Sequence, residues 1–476
     1  MVATAVSFVV FLLAFTGIGI YSATRKRETP DDYLVASRSV GPWATALSAV
    51  ATNNSGFMFI GLIGATYVEG ISAMWLMVGW VLGDWIAWFF VHEKLRRQSE
   101  QQQTTTIGSF LASGIKDGRK VAIVAGLITL VFLGLYSAAQ LAAGGKAMHH
   151  VFGWDVKVAA VIGAVIVAAY CFAGGIRASI WTDVAQSVVM ISAVIGLFVT
   201  GVVYLGGPGE LWAGLEAIDA KLTVVAPSHY KFGFIGYLLG WFGAGAGVIG
   251  QPHVMIRAMA IDSPNNMKTA RRIYVIWYLV FSAACIGVGL AARVIIDPPL
   301  LGQGADPELA LPILSDALFP GVLVGMMLAG VFAATISTAD SQILSSSAAL
   351  TQDLAPGTGK SYTRVKLATL LVTGFALTMA LFGEHLGVFA LVTIAWSSLA
   401  AGLGPLLLVR VMKWNISANV GLITMLAGVA GSLGWRYGLK WHEDIYDAFP
   451  GMVAGFAAYL ILAKLTWGGI HGQKTE

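Results

Sequence analysis

Charge is what this sequence has least of. Only 11% of its 476 residues are Asp, Glu, Lys or Arg, against roughly 25% in soluble domains. A water-soluble enzyme or binding module is thereby excluded. Cysteine is almost absent too. Cys171 and Cys285 both sit in apolar stretches, so neither a disulfide framework nor a thiolate metal site is indicated. Long polar segments are missing, which leaves no room for a large soluble module. The net charge is only +4, and the basic residues gather in alternate loops rather than in a patch suited to nucleic acid. His149, His150 and His253 fall at the ends of apolar stretches with no metal-ligand spacing. No nucleophile and base stand together, so no catalytic residues are assigned.

Hydrophobicity is what remains: 57% of residues are hydrophobic and the mean hydropathy is +0.76. About 20 apolar residues suffice to cross the hydrocarbon. Such runs recur along the whole chain and predict an all-α polytopic membrane protein with one domain over 1–476. The 13 predicted spans lie near 3–24, 42–67, 70–92, 119–148, 156–174, 178–206, 232–258, 269–296, 318–350, 365–383, 385–410, 416–437 and 449–467. The first is expected to be retained rather than cleaved, because it is long, lacks a basic start and is followed by Arg25, Lys26 and Arg27. With these boundaries 22 of the 29 basic residues, from Arg25 to Lys474, fall on one side. The positive-inside rule makes that side cytoplasmic. The N-terminus is then outside and the C-terminus inside the plasma (inner) membrane.

Two spans are broken in the middle. Span two reads WATALSAVATNNSGFMFIGLIGATY from Trp43 to Tyr67, with Thr52, Asn53, Asn54, Ser55 and Gly56 at mid-membrane. Span seven carries GWFGAGAGVIGQPH from Gly240 to His253. Unwound backbone at that depth is tolerated only where it faces protein or a wet cavity. In secondary transporters such breaks bind a cation and a solute. The plainer reading is that glycine is common where membrane helices pack closely. The two breaks lie five spans apart, an odd number, so the halves that contain them run in opposite directions. This predicts inverted repeats over 42–206 and 232–410, with span one and 416–467 peripheral.

Span nine holds Ser337, Thr338 and Ser341 within about one helical turn, beside Asp340. Hydroxyls and carbonyls are the hard oxygen ligands that sodium needs, although a lone hydroxyl more often bonds back to its own helix. An intramembrane carboxylate is a functional candidate by default. Asp340 is one, unless it lies at the cytoplasmic mouth. Asp183 is another, unless it pairs with Arg177 as an anchor. Asp84 in span three is a weaker third.

These residues resemble the sodium:solute symporter family, most closely its proline-symporter branch. The resemblance runs from about Ile18 to Arg410. It rests on DDYLVASRSVG at 31–41, TALSA followed by SGFMFIGLIGA at 45–65, GGIRASIWTD at 174–183, GQPHVMIRAMAIDS at 250–263, ARR at 270–272, STADSQIL at 337–344 and AWSSLAAGLGP at 395–405. It implies 13 spans in the LeuT-type 5+5 inverted-repeat fold, with the first helix of each repeat broken. It also implies Na+ as coupling ion. The carbonyls of Ala51, Asn54 and Ala334 and the hydroxyls of Ser337 and Thr338 would form a sodium site. Asp183, Asp340 and Ser341, with Ser337, would form a second one. Solute contacts would come from Asn53, Ser55, Gly56, Tyr136, Ala244, Val248, Gln251 and Trp396.

Two departures bear on the solute. Proline symporters have an acidic residue where this chain has Asn53, and a Trp and a Tyr where it has Ala244 and Val248. The smaller pair is expected to enlarge the cavity and to remove stacking and hydroxyl contacts. Proline, a bulkier amino acid and a small carboxylate all stay open. The expected function is sodium-coupled import of a small organic solute by alternating access within a lipid bilayer. Oligomeric state is not legible. A sensor built on a transporter fold is the first rival, weakened because only about ten residues follow the last span. A proton-coupled carrier using Asp183 and Asp340 is the second. A channel has no filter-like repeat to support it.

Overall fold

The computed structural model describes residues 2–226, 230–302, 304–382 and 387–467, apart from the side chains of residues 146, 147, 150 and 151. The His150 side chain, the first residues of span eleven and Lys474 lie outside what is described. Helix dominates. Among the described residues the one strand-like contact is a parallel bridge between Val40 and Ile261.

Helix α1 (Val2–Ser22) leads into α2 (Pro42–Asn53), which starts on a proline, where a missing amide hydrogen costs nothing. After the break come a wide π turn (Phe57–Leu62), α3 (Ile63–Glu69) and α4 (Met74–Ala87). Then follow α5 (Gly118–Phe152) and α6 (Val156–Leu205). The second broken pair is α7 (Gly233–Ala246) and α8 (Pro252–Ala260), again opened by a proline. Helices α9 (Met267–Ile295), α10 (Gly321–Ala348), α11 (Tyr362–Phe382), α12 (Val388–Val411), α13 (Ala418–Leu433) and α14 (Ala448–Trp467) complete the chain.

Helix α10 is the hub. Every residue from Met327 to Ala348 is buried, and the helix packs against α1, α5 and α6. A helix covered on all sides has no lipid or water face, so its hydroxyls and Asp340 must be satisfied by protein or by ligand. Helix α11, by contrast, leaves Leu367, Leu371 and Phe375 uncovered, as expected of a lipid-facing surface.

Among the described residues, 11 helices are long and apolar enough to cross a membrane, two fewer than the 13 expected. The difference has two sources. Helix α6 runs through predicted spans five and six, and its 50 residues are interrupted only at Gly175, which has φ 58° and ψ −143°. A side chain there would meet the Tyr33 carbonyl at 2.5 Å, so the turn needs glycine for both torsion and space. The stretch Phe57–Gln101 likewise joins the second half of span two to span three.

Helices α4 and α7 cross at backbone contact. A Cβ on Gly245 would fall on the Trp80 carbonyl oxygen, and one on Gly83 on the Phe242 carbonyl. Small residues allow such closeness in membrane bundles. Gly245→Val is therefore expected to push the two helices apart and to lose most correctly folded protein. The monodisperse fraction after detergent extraction would measure this, with wild-type recovery counting against the crossing as drawn.

Candidate cation and solute site

Span two breaks because Asn54 leaves helical geometry, with φ −86° and ψ 65°. Its amide still closes the last turn on the Val50 carbonyl at 2.8 Å, but the carbonyls beyond have no helical donor. Helix α10 supplies hydroxyls to them. Ser337 Oγ donates to the carbonyls of Ala51 and Ala334, each at 3.2 Å. Thr338 Oγ1 donates to those of Thr52 and Ala334, each at 3.0 Å. All these groups are fully buried. Ala51, Ala334, Ser337 and Thr338 thus lie together, joined by the Thr52 carbonyl; no contact among the described residues brings the Asn54 carbonyl, the fifth expected member, to the hydroxyls. The Asn54 side chain is buried with neither polar atom partnered. A cage of hard oxygens at the C-terminal, negative end of a half-helix is suited to a cation.

Just beside it lies the second expected set. Asp340 accepts from Ser179 Oγ at 2.9 Å, Ser341 Oγ at 2.7 Å and Tyr170 OH at 2.6 Å. Asp183 accepts from Ser48 Oγ at 2.6 Å. Both acids are fully buried, so Asp340 is not at a solvent mouth. Arg177 is not the partner of Asp183: it pairs with Asp32. The partner is Arg257, whose Nη2 lies 3.2 Å from Asp183 Oδ2 and 2.8 Å from Ser179 Oγ, and also donates to Ser341 Oγ. Sequence alone places Arg257 among the topology-setting loop cations. It is fully buried instead, because α8 carries it back along the face of α2 and α10. With both acids ionised, the set holds two negative charges and one positive. Asp183 Oδ1 has no partner, and one monovalent cation would complete both charge and coordination.

Most of the residues expected to contact a solute lie around the two breaks. The Gly56 amide donates to Gln140 Oε1 at 2.9 Å, and Ser55 Oγ lies 3.3 Å from Tyr136 OH. A Cβ on Gly56 would sit 2.8 Å from Thr335 Cγ2, so glycine lets α10 and α5 close on the break. In span seven Gln251 unwinds (φ −101°, ψ 95°) and its Nε2 donates to the Trp396 carbonyl at 2.9 Å. The Trp396 indole donates to the Ala244 carbonyl at 2.8 Å. Ala244 and Val248 are fully buried. Asn53 stands apart from this group, hydrogen-bonded to Asp84 and Tyr274.

Two polar residues of this centre escape the sequence reading. His253 is buried between the rings of Tyr136 and Trp396, with neither ring nitrogen partnered. Gln140 Nε2 is likewise unpartnered. Buried polar groups are normally hydrogen-bonded, so these two side chains are candidates for ligand contact. The signal for His253 is its place in the GQPH stretch, one residue past a proline in a broken helix.

A model of the sodium:solute symporter family matches residues 33–428. The chain belongs to that family. It is 32% identical to a sodium/proline symporter of Salmonella typhimurium over 475 residues, covering 97% of this chain and 92% of that one. It is 30% identical to the high-affinity proline transporter PutP of Bacillus subtilis, covering 94% and 95%. Among solved structures, an outward-open, substrate-bound Na+-coupled sialic acid symporter superposes with a TM-score of 0.83 at 20% identity, over 99% of both chains. The transporter MhsT, solved with L-phenylalanine, gives 0.56 at 15% identity, over 88% of this chain and 99% of that one. These structures establish the LeuT-type fold. The family member described here is a multi-pass membrane protein and a sodium-coupled symporter of a small solute, with Na+ as the coupling ion and no enzymatic role. Neither the sensor nor the proton-coupled alternative gains support.

Proposed function

We propose that this symporter imports a small amino acid or carboxylate of the proline class, with the solute's carboxylate at Ser55 and Gly56 and its body against Tyr136, Gln251, His253 and Trp396. The observation that carries the proposal is the adjacency of two features on one break. Carbonyls of Ala51 and Thr52 end α2 beside Ser337 and Thr338, and amides of Gly56 and Phe57 begin the next half-helix. A negative helix end favours a cation and a positive one favours a carboxylate. Sodium at the first side would fix α2 against α10 and so shape the second. Relatives named for proline support the solute class.

In this reading one sodium occupies the site of Ala51, Asn54, Ala334, Ser337 and Thr338, and a second the site of Asp183, Ser337, Asp340 and Ser341. The 42–206 and 232–410 halves rock as inverted repeats, with the N-terminus outside and the C-terminus in the cytoplasm. Two cavities support an outward-facing arrangement. One of about 580 Å³ is bordered by Glu69, Tyr237, Trp241, Arg436 and Tyr446. On the opposite, basic side a crevice at Thr106, Pro252, Ser345 and Asp353 has only about 10 Å³. Each sodium moved inward is driven by about 2.3 kcal/mol per 100 mV, enough for a roughly fifty-fold solute gradient.

Uptake into proteoliposomes tests this. Labelled proline, other neutral amino acids and small carboxylates would each be offered with an inward sodium gradient, an inward proton gradient or none. Sodium-driven accumulation of one of them is the expected outcome. Accumulation of a solute lacking a carboxylate, with none of this panel taken up, would overturn the solute class.

A further inference from the structure

Asp84 has no part in either sodium site proposed above. It lies on α4 and is 1% exposed, level with the break in span two. Its Oδ2 accepts from Asn53 Nδ2 at 3.2 Å and from the hydroxyl of Tyr274 on α9. Asn53 Nδ2 also donates to Tyr274 OH at 2.5 Å. Every donor in the cluster is therefore spent on one carboxylate oxygen and on the phenol. The other carboxylate oxygen, Asp84 Oδ1, is buried without a partner, and so is the amide oxygen Asn53 Oδ1.

Two other buried acids have a direct countercharge. Arg257 stands 3.2 Å from Asp183 and Arg436 stands 2.7 Å from Asp447. Among the described residues no basic side chain pairs with Asp84. The surroundings are aromatic, with the Trp88 ring 4.7 Å from that of Tyr274 and Tyr278 at 5.6 Å. An unpaired carboxylate in so dry a place is costly. Asn53 adds to the negative potential, because it is the last residue of α2 and the helix presents its negative pole there. One acid, one helix C-terminus and two unpartnered hard oxygens converge with no protein cation to meet them.

We propose that Asp84, Asn53 and Tyr274 form a further sodium site, on the flank of the span-two break away from Ser337 and Thr338. Asp84 Oδ1 and Asn53 Oδ1 are its ligands, and Tyr274 is the positioning residue that holds the carboxylate in place. A sodium ion there ties α4 and α9 to the end of α2, as the first site ties α10 to it. The inference rests on sodium being the coupling ion and adds a locus to the two already proposed.

Equilibrium binding of ²²Na+ to the purified protein tests it without knowledge of the solute. Asp84→Asn keeps the size and the hydrogen-bond acceptor but removes the charge. It is expected to bind one sodium fewer per protein, or to need at least about tenfold more sodium for that ion. Moving the charge across the hydrogen bond, in Asn53→Asp with Asp84→Asn, is expected to restore binding. Asn53→Asp alone places two acids on the locus and is expected to tighten binding, a gain that misfolding cannot mimic. Ser337→Ala, measured in parallel, removes a different ion. If Ser337→Ala loses an ion while Asp84→Asn binds as many as wild type with equal affinity, the Asp84 site is overturned and the first site stands. Failure of the charge swap to restore binding, with folded protein, would also overturn it, since a purely structural Asp84 predicts no such rescue.

Discussion

Arg257→Met is expected to cost this protein most of its folded yield. The guanidinium is the single cation in a fully buried group that holds Asp183 and Asp340, and it also binds Ser48 Oγ at 3.1 Å and the His253 carbonyl at 2.7 Å. Breaking a buried pair by deleting one partner typically costs about 3–5 kcal/mol, because the remaining charges stay buried and unmet. Against a total stability of roughly 5–15 kcal/mol, that is enough to unfold much of the population. Thermal unfolding followed by size-exclusion chromatography in detergent would show it. Adding Asp183→Asn to the same chain removes one of the stranded acids and is expected to recover part of the loss. Unchanged stability in the single variant would mean that the acids are neutral in the folded protein.

The second large effect is on sodium. Ser337→Ala and Thr338→Ala each delete a hydroxyl that reaches across from α10 to the carbonyls ending α2. A lost contact to a charged group is worth about 1.5–3 kcal/mol, so the sodium needed for half-maximal uptake should rise roughly ten- to hundredfold. Neither change strands a charge, so folding should survive both. Thr338→Ser keeps the oxygen and is expected to keep the wild-type sodium requirement. Sodium titration of uptake at saturating solute separates the variants. Equal sodium dependence in both alanine variants would remove the first site.

The residues that the sequence made visible share one property: they violate the rule for a membrane span locally. Asn53, Asn54, Ser55 and Gly56 interrupt an apolar run, and Ser337, Thr338, Asp340 and Ser341 crowd polar groups into another. A violation of that kind is legible because hydrocarbon offers no partner, so each polar group must have a reason. Gln140 and His253 are polar as well, but Gln140 is a single polar residue inside a long apolar helix and His253 sits in the first turn after a proline, and such positions have many explanations. Only their place beside Gly56, Tyr136 and Trp396 sets them apart.

Arg257 shows the limit most clearly. Within the sequence it is one basic residue after an apolar run, indistinguishable from Lys268 or Arg271. In the fold it is buried among the acids, because the break at Gly250 and Gln251 re-aims α8 toward α2 and α10. The boundaries expected between spans two and three and between spans five and six do coincide with turns, after Glu69 and at Gly175, but the helical stretch continues through each turn, so the described helices number fewer than the spans.

By itself the sequence determined a polytopic helical transporter, its two broken helices and the polar clustering of span nine. These follow from the cost of polar atoms in lipid, which acts residue by residue along the chain. The tertiary structure decided the pairings: Arg257 with Asp183, Asn53 with Asp84, Gln140 with Gly56 and Trp396 with Ala244. Each joins residues between 31 and 152 positions apart. Such contacts depend on which helix faces meet, and that is set by packing of the whole bundle rather than by any local stretch.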